Sequence, residues 1–257
     1  LRSGTAEDDR PTLIVLRIHI ATPSPDVDTS AAHGYSLTDD GIAETKRRMG
    51  LPEHESFHIP DDVLATYREA GARGSAAREA WQQRLDGWDG DRSAWEACWA
   101  ASGLDGWTDA LPTWEPGQSV ATRKAGNACL TALLDEVPGL IGGGADLTGN
   151  TGTTIEGHGV QSAVCPEGRQ LFFGVREHAM GAICNGMALH GGLIPVGGTF
   201  LVFSDYMRGA VRLAALSGAK TLFVWTHDSV GVGEDGPTHQ PVEHAAALRA
   251  IPGLRVF

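Results

Sequence analysis

The sequence has 257 residues, of which 42% are hydrophobic, so it can bury a sizeable core and is not a disordered chain. Its 20 basic and 32 acidic residues give a net charge of −12, and with no Lys/Arg cluster this balance argues against a nucleic-acid partner. The four scattered cysteines form no CxxC pair, and no apolar run reaches the roughly 20 residues that span a bilayer. We therefore expect a cytoplasmic protein with no membrane partner.

The first 117 residues predict a strand, a long loop, a helix and an irregular connector. The run "PTLIVLRIHI" at 11–20 is β-branched and of strand length. The segment 21–40 is dense in Pro, Ser, Thr, Asp and Gly, which indicates a long loop, and such loops are usually functional. Apolar residues recur at helical spacing from Pro60 to about Leu85. Residues 86–117 hold five of the seven tryptophans, so we expect an irregular connector packed across the domains.

Strands and helices alternate regularly after Pro116. The predicted helices cover 119–136, 176–189, 204–218 and 241–250. The predicted strands are a short strand ending at "LIGGGADLTGN", then "QLFFGV", "GLIPVGGT", "KTLFVWT" and "LRVF". Because the strands are apolar on both faces, this order predicts an α/β fold with a mainly parallel sheet and helices on both faces. The chain opens without Met and stops within the apolar "LRVF" segment, so we expect it to be part of a longer polypeptide.

Polar and aromatic side chains follow the predicted strands. In an open parallel sheet, the carboxyl ends of the strands meet the helix N-termini at one edge, and ligands bind there. The residues that this order brings to the edge are Asp146, Arg176, Glu177, Phe200, Phe203, His227 and Asp228. The sequence therefore predicts one edge that carries acids, histidines and aromatic rings together.

Glu177 lies between two apolar runs, "LFFGV" and "HAMGAI". An acid in the first turn of a helix is favoured by the helix dipole, and that is one interpretation of its position. Burial of a carboxylate is costly unless a partner pairs with it, and a protonatable ring nitrogen of a ligand would be such a partner. The loop 226–241 also collects acids and histidines, but without HxH or HExxH spacing, so we expect no protein-bound transition metal. A solvated acidic loop is the alternative.

The sequence resembles transketolase, a thiamine diphosphate-dependent family, from about residue 12 to its end. The segments "FFGVREHAMGAI", "GGTFLVFSDYMRGAVRLAALSG" and "WTHDSVGVGEDGPTHQP" are similar to the pyrimidine-binding domain of that family. Upstream, "PTLIVLRIHIATPSP", "HGYSL" and "TKRRMG" resemble the end of its diphosphate-binding domain. The resemblance implies a thiamine diphosphate-binding fold that is incomplete at both ends. Residues 1–59 would end the diphosphate-binding domain, 60–117 would form a helix and Trp-rich connector, and 118–257 would form the pyrimidine-binding domain.

The resemblance implies cofactor contacts at six positions. Glu177 would hydrogen-bond the ring nitrogen N1′ of the aminopyrimidine and thereby activate the cofactor. The other implied contacts are an aromatic pocket for that ring and two further residues: Phe200, Phe203 and Tyr206, with Asp146 and Ile20. Ala21 stands where the family usually has Gly, next to the backbone that approaches the cofactor.

The same resemblance implies transfer of a two-carbon ketol unit from a ketose phosphate to an aldose phosphate, as in the pentose phosphate pathway. His33, His227 and His239 would move protons near the reacting carbons. The implied substrate contacts are Arg123 and Asn150 for phosphate and Asp235, His239 and His33 for the sugar. Asn150 replaces the Ser that is usual in the family.

The Gly-Asp-Gly motif that holds magnesium in the family has no match in this chain. The resemblance therefore implies Mg²⁺ ligands outside the chain, and a homodimer or a complementary transketolase subunit that completes the site. The chain by itself is expected to be inactive without the remaining parts or a partner. Two alternatives stay open: a related thiamine enzyme, such as a deoxyxylulose-phosphate synthase or a dehydrogenase E1 component, and a non-catalytic truncated interaction module.

Overall fold

The computed structural model describes residues 1–34 and 37–257, which divide into the units Leu1–Trp88 and Asp89–Phe257. Two residues of the "HGYSL" segment, Tyr35 and Ser36, lie outside the described residues. The α-helices of the described residues are α1 (Arg2–Thr5), α2 (Ala31–Gly34), α3 (Asp39–Met49), α4 (Asp61–Asp86), α5 (Arg92–Trp99), α6 (Thr122–Ala132), α7 (Thr148–Thr151), α8 (Glu177–His190), α9 (Ser204–Ser217) and α10 (His244–Arg249). The strands are β1 (Leu140–Gly144), β2 (Gln170–Phe172), β3 (Ile194–Phe200) and β4 (Leu222–Thr226), and 3₁₀ turns cover Trp107–Ala110, Leu201–Phe203 and Pro237–His239.

The predicted strand at 11–20 is wrong, because residues 11–19 have no regular structure. A strand needs a neighbour for its backbone groups, and these residues have none in the described chain. Their apolar side chains stay exposed, with Leu13 at 88% and Val15 at 86% of full exposure. The β-branched composition is typical of a strand, but composition alone does not form one without a neighbouring strand.

Helix α3 begins inside the segment predicted as a loop. The hydroxyl oxygen of Thr38 accepts a hydrogen bond from the backbone N–H of Gly41 at 3.2 Å, which caps the first turn. The helix ends at Gly50, whose φ of 71° terminates it in the left-handed conformation. The long helix predicted from Pro60 is confirmed as α4, and none of its residues is buried within this chain.

The connector predicted as irregular contains a helix, α5. Asp91 caps it, because its carboxylate accepts from the backbone N–H of Ala94 at 3.0 Å. The terminal "LRVF" segment, predicted as a strand, has no regular structure, since residues 254–257 find no strand to pair with in the described chain. The two errors differ in origin, because the cap of α5 is a local signal that the prediction missed, whereas the terminal segment has strand composition but no partner strand among the described residues.

Among the described residues, β1–β4 form one parallel sheet in the order β2-β1-β3-β4. Strand β1 is central and ends in three glycines, and a Cβ at Gly143 would overlap the carbonyl oxygen of Leu171 on β2. These glycines therefore allow close backbone approach inside the sheet.

Two apolar clusters cover the two faces of the sheet. One joins the sheet to α8, α9 and α10 and contains the fully buried Met180 and Met207, with Phe223 and Trp225 of β4 packed against it. The other contains Leu134, just after α6, and receives Val224 of β4. Because successive residues of β4 point to opposite clusters, the sheet is covered on both faces, which confirms the predicted α/β fold. No helix of the described residues has the length and apolar character that crossing a membrane would require.

Candidate active site

The carboxyl ends of β1, β3 and β4 lie at the same edge of the sheet. Gly144 at the end of β1 pairs with Gly198, and Phe200 at the end of β3 pairs with Thr226 at the end of β4. The residues that follow these strands therefore meet at one edge, as the strand order predicted. Two of them, Asp146 and His227, adopt left-handed backbone conformations with φ of 68° and 57°. Non-glycine residues rarely do so, and such strain concentrates at functional sites.

Glu177 lines a cavity of about 440 Å³ at this edge. Ala145, Asp146, Leu147, Val175, Phe203 and Tyr206 line the rest of it. Glu177 opens helix α8 and is only 9% exposed, and its carboxylate has no hydrogen-bond or ion-pair partner within residues 1–34 and 37–257. The rings of Phe203 and Tyr206 stack with centroids 5.9 Å apart. The cavity thus combines an unpaired buried acid with aromatic walls.

Phe200 does not line that cavity but supports two histidines beside it. Its ring stacks on the imidazole of His227 with centroids 3.7 Å apart, and on Phe203 at 5.7 Å. The edge of His239 meets Phe203 at 5.2 Å and Phe200 at 6.2 Å. The predicted aromatic residues therefore connect the Glu177 cavity to both histidines of the 226–241 loop.

Two contacts of His227 favour the neutral tautomer that carries its proton on Nδ1. Its Nε2 lies 3.5 Å from Nη1 of Arg123, and a guanidinium can only donate, so Nε2 accepts. Its Nδ1 lies 2.9 Å from the hydroxyl oxygen of Thr226 and must then carry the proton. Burial lowers the pKa of His227, the positive charge of Arg123 and the nearby imidazole of His239 lower it further, and the carboxylates of Asp235 and Asp228 oppose them. The neutral form, with a lone pair at Nε2, is therefore favoured.

Arg123 and His227 also line a second cavity of about 700 Å³, together with Thr151 and Gly152. Arg123 lies in the first turn of α6 and is exposed. Asn150 lies in α7, directly before Thr151. This cavity therefore offers a cation, a neutral imidazole and the turn that carries Asn150.

Two predicted site residues belong to the unit Leu1–Trp88. His33 lies in α2 and is exposed, and the carbonyl oxygen of Ile20 accepts from the backbone N–H of Asp28 at 3.2 Å. Ala21, which stands where the family usually has Gly, adopts a φ of 58°. A left-handed conformation explains why glycine suits this position. Sequence reasoning had passed over Thr226 and Asn127, because a partner of a histidine and a partner of a turn have no motif of their own.

The chain matches the models of two family domains. The thiamine diphosphate binding domain of transketolase matches residues 1–101, and the transketolase pyrimidine binding domain matches residues 118–257. Among curated relatives, the transketolases of Mycobacterium tuberculosis and Mycobacterium bovis are 49% identical over 271 residues, which cover 100% of this chain and 39% of theirs. The transketolase of Geobacillus stearothermophilus is 44% identical over 263 residues, with the same coverage.

Solved structures show the same similarity. A transketolase from Leishmania mexicana superposes with a TM-score of 0.89 at 42% identity, covering 98% of this chain and 38% of that one. A transketolase from Pichia stipitis in complex with sedoheptulose 7-phosphate gives a TM-score of 0.87 at 38% identity, covering 95% and 38%. The chain thus spans about two fifths of the length of these relatives.

Proposed function

Because the chain belongs to the transketolase family, we propose that it forms part of a thiamine diphosphate-dependent transferase that moves a two-carbon ketol unit from a ketose phosphate to an aldose phosphate. The predicted family membership is confirmed by the matched domains and relatives. These relatives favour transketolase over the deoxyxylulose-phosphate synthase, the dehydrogenase component and the non-catalytic module. The observation that carries the proposal is the unpaired carboxylate of the buried residue Glu177, which lines an aromatic cavity beside two histidines.

The residues of the Glu177 cavity fit the aminopyrimidine ring of thiamine diphosphate. A buried acid without a partner is stabilised when a ring nitrogen pairs with it, and Phe203 and Tyr206 offer flat apolar faces to the same ring. When bound, the cofactor supplies carbanion chemistry at the donor carbonyl. Glu177 would hold a proton between its carboxylate and the ring nitrogen N1′, and the apolar surroundings exclude water from that bond. Asp146 is proposed as a further cofactor contact on the wall of this cavity.

The histidines would move protons on the sugar hydroxyls. His227 is suited to accept a proton at Nε2, because its Nδ1 forms a hydrogen bond with the hydroxyl of Thr226 and its neutral form is favoured. We assign His239 a parallel role, and Asp235 would accept a hydrogen bond from a sugar hydroxyl. The phosphate would bind the guanidinium of Arg123 and the amide of Asn150. His33 and Ile20 stay predictions from the resemblance.

The metal ion, the partner subunit and the domain boundaries are proposed from the family. We propose Mg²⁺ as the partner of the cofactor's diphosphate, with its ligands outside this chain, and a cytoplasmic dimer or a pairing with a complementary subunit. We also keep the division into 1–59, 60–117 and 118–257 as a proposal. Each of these statements rests on the family and not on a contact of this chain.

An assay with xylulose 5-phosphate and ribose 5-phosphate tests the proposal in the complete assembly that contains this chain. We expect sedoheptulose 7-phosphate to form, and Glu177→Ala to abolish its formation while circular dichroism stays unchanged. The conservative Phe203→Leu variant should retain part of the activity, because it keeps an apolar wall. Unchanged turnover in Glu177→Ala, or pyruvate consumption without ketol transfer, would contradict the proposal.

A further inference from the structure

Asn127 connects the helix that carries Arg123 to the turn that follows α7. Its side-chain Nδ2 donates to the carbonyl oxygen of Gly152 at 3.0 Å and to that of Thr154 at 3.1 Å. Asn127 lies one helical turn after Arg123, so both side chains project from the same face of α6. One amide group thus uses both of its hydrogens to hold a single turn of the backbone.

The turn held by Asn127 is tightly packed on both of its sides. Gly152 has a φ of 70°, and a Cβ there would lie 2.5 Å from the carbonyl oxygen of Arg123. On the opposite side, a Cβ at Gly198 of β3 would lie 2.7 Å from the hydroxyl oxygen of Thr151. The turn is therefore wedged between α6 and the sheet, and glycines permit the close approach at both contacts.

Asn150 lies in α7, two residues before Gly152, so it belongs to the segment 148–154 that Asn127 holds. The geometry points to a positioning role for Asn127: it holds the turn 148–154 against α6, so that the guanidinium of Arg123 and the amide of Asn150 act on one phosphate group of the sugar. This inference rests on the proposed function, because the phosphate of a ketose or aldose phosphate is the ligand concerned. Asn127 itself does not contact the ligand and acts through the two residues that it brings together.

Loss of the Asn127 amide releases the turn from α6 without removing either phosphate-binding side chain. Binding of the phosphate then has to order the turn, and affinity for phosphorylated sugars falls because preorganisation is lost. Sugars without phosphate do not use this pair, so their binding should be unaffected. The inference therefore predicts a selective effect on one class of substrate, which a general loss of stability would not produce.

The kinetic test compares xylulose 5-phosphate with erythrulose, a ketose without phosphate, as donors in the active assembly. We expect Asn127→Ala to lower kcat/KM about tenfold for the phosphorylated donor, through KM, and to change the value for erythrulose by less than about twofold. The matched control is Asn185→Ala, which removes a buried amide donor to the carbonyl oxygen of Ala210 at 2.8 Å between α8 and α9. This variant should change kcat/KM by the same factor for both donors. An equal loss on both donors in Asn127→Ala, or no loss on either, overturns the inference.

A binding test separates this inference from the proposed function. Inorganic phosphate is titrated into the chain, and the backbone amide resonances of Arg123 and Asn150 are followed by NMR. We expect them to shift together in the unmodified chain, and the dissociation constant to rise about tenfold in Asn127→Ala. Asn127→Asp keeps the shape but turns an acceptor toward two carbonyl oxygens, so it should weaken binding at least as much. Equal phosphate affinity in all three chains refutes the positioning role alone, whereas no response in the unmodified chain refutes the phosphate site as well.

Discussion

Replacing Glu177 by Gln should stabilise the chain in the absence of cofactor. Glu177 as a whole residue is 9% exposed, and its carboxylate has no partner in the part of the chain that the structure describes. A buried polar group without a partner costs about 1–3 kcal/mol, and more when it is charged. Gln has nearly the same shape and removes the charge, so the variant recovers the part of the cost that the charge adds.

The size of the effect follows from two opposing terms. Glu177 begins a helix of 14 residues, and its interaction with the helix dipole stabilises the charged form by about 0.3–1 kcal/mol. The amide of Gln keeps the neutral part of the burial cost, so only the additional cost of the charge is removed, and after the dipole gain is subtracted we expect a net stabilisation of about 1 kcal/mol. For a unit of this size, the melting temperature should rise by about 2–4 °C.

Asp205 provides the matched control, because it also lies in the first turn of a helix of 14 residues. Its side chain is 57% exposed and lies 3.2 Å from Nε2 of His244. Asp205→Asn loses the favourable interaction of a negative charge with the helix dipole and weakens the contact with His244, so it should destabilise the chain by about 0.5–1 kcal/mol. Urea denaturation at pH 7, followed by tryptophan fluorescence, measures both variants. If Glu177→Gln destabilises the chain as Asp205→Asn does, Glu177 is an ordinary helix-start acid and our account of the cavity is wrong.

Three further predictions concern the same unit. Arg123→Gln should raise the pKa of His227, because it removes a positive charge that lowers it; an unchanged or lower value in an NMR titration of the imidazole would contradict the assigned contact. Burial raises the pKa of the Cys184 thiol to about 12, so iodoacetamide at pH 8 should leave it unlabelled in the folded chain, and labelling detected by mass spectrometry would refute this. Gly186→Ala should stabilise α8 by about 1 kcal/mol, because its Cβ enters open space. Gly198→Ala should destabilise the chain by about 2 kcal/mol or more, because its Cβ would lie 2.7 Å from a buried threonine hydroxyl. Thermal unfolding that ranks the two variants in the opposite order would contradict the packing.

Much of the second unit could be predicted from the sequence because its signals are local. Strand β4 lies within the predicted strand "KTLFVWT", and α8 begins within one residue of the predicted start. Parallel strands share one carboxyl edge, so the meeting of Asp146 and His227 at that edge follows from strand order alone. No distance was needed to make that prediction.

The strands predicted at 11–20 and at "LRVF" were wrong because a strand depends on neighbouring strands that a sequence does not display. Residues 11–19 have strand composition, yet without a neighbouring strand their backbone cannot form a ladder. For the predicted aromatic pocket, the structure adds that Phe203 and Tyr206 line the Glu177 cavity and that Phe200 stacks on His227, while the contact of Phe200 with the cofactor stays a prediction. Ring stacking is a tertiary contact, and spacing along the chain does not distinguish a wall of a cavity from a support of a histidine.

The glycines of "LIGGGADL" illustrate how structure decides between two meanings of one pattern. A glycine-rich run after an apolar strand can cradle a phosphate, or it can let backbones approach each other inside a sheet. Gly143 does the second, because a side chain there would overlap the carbonyl oxygen of Leu171. Gly144 allows the N-terminus of α7 to approach, since its Cβ would lie 2.9 Å from the backbone nitrogen of Thr148. In the proposed site, this run would therefore affect phosphate binding only indirectly, because it lets the short helix that carries Asn150 approach the sheet edge.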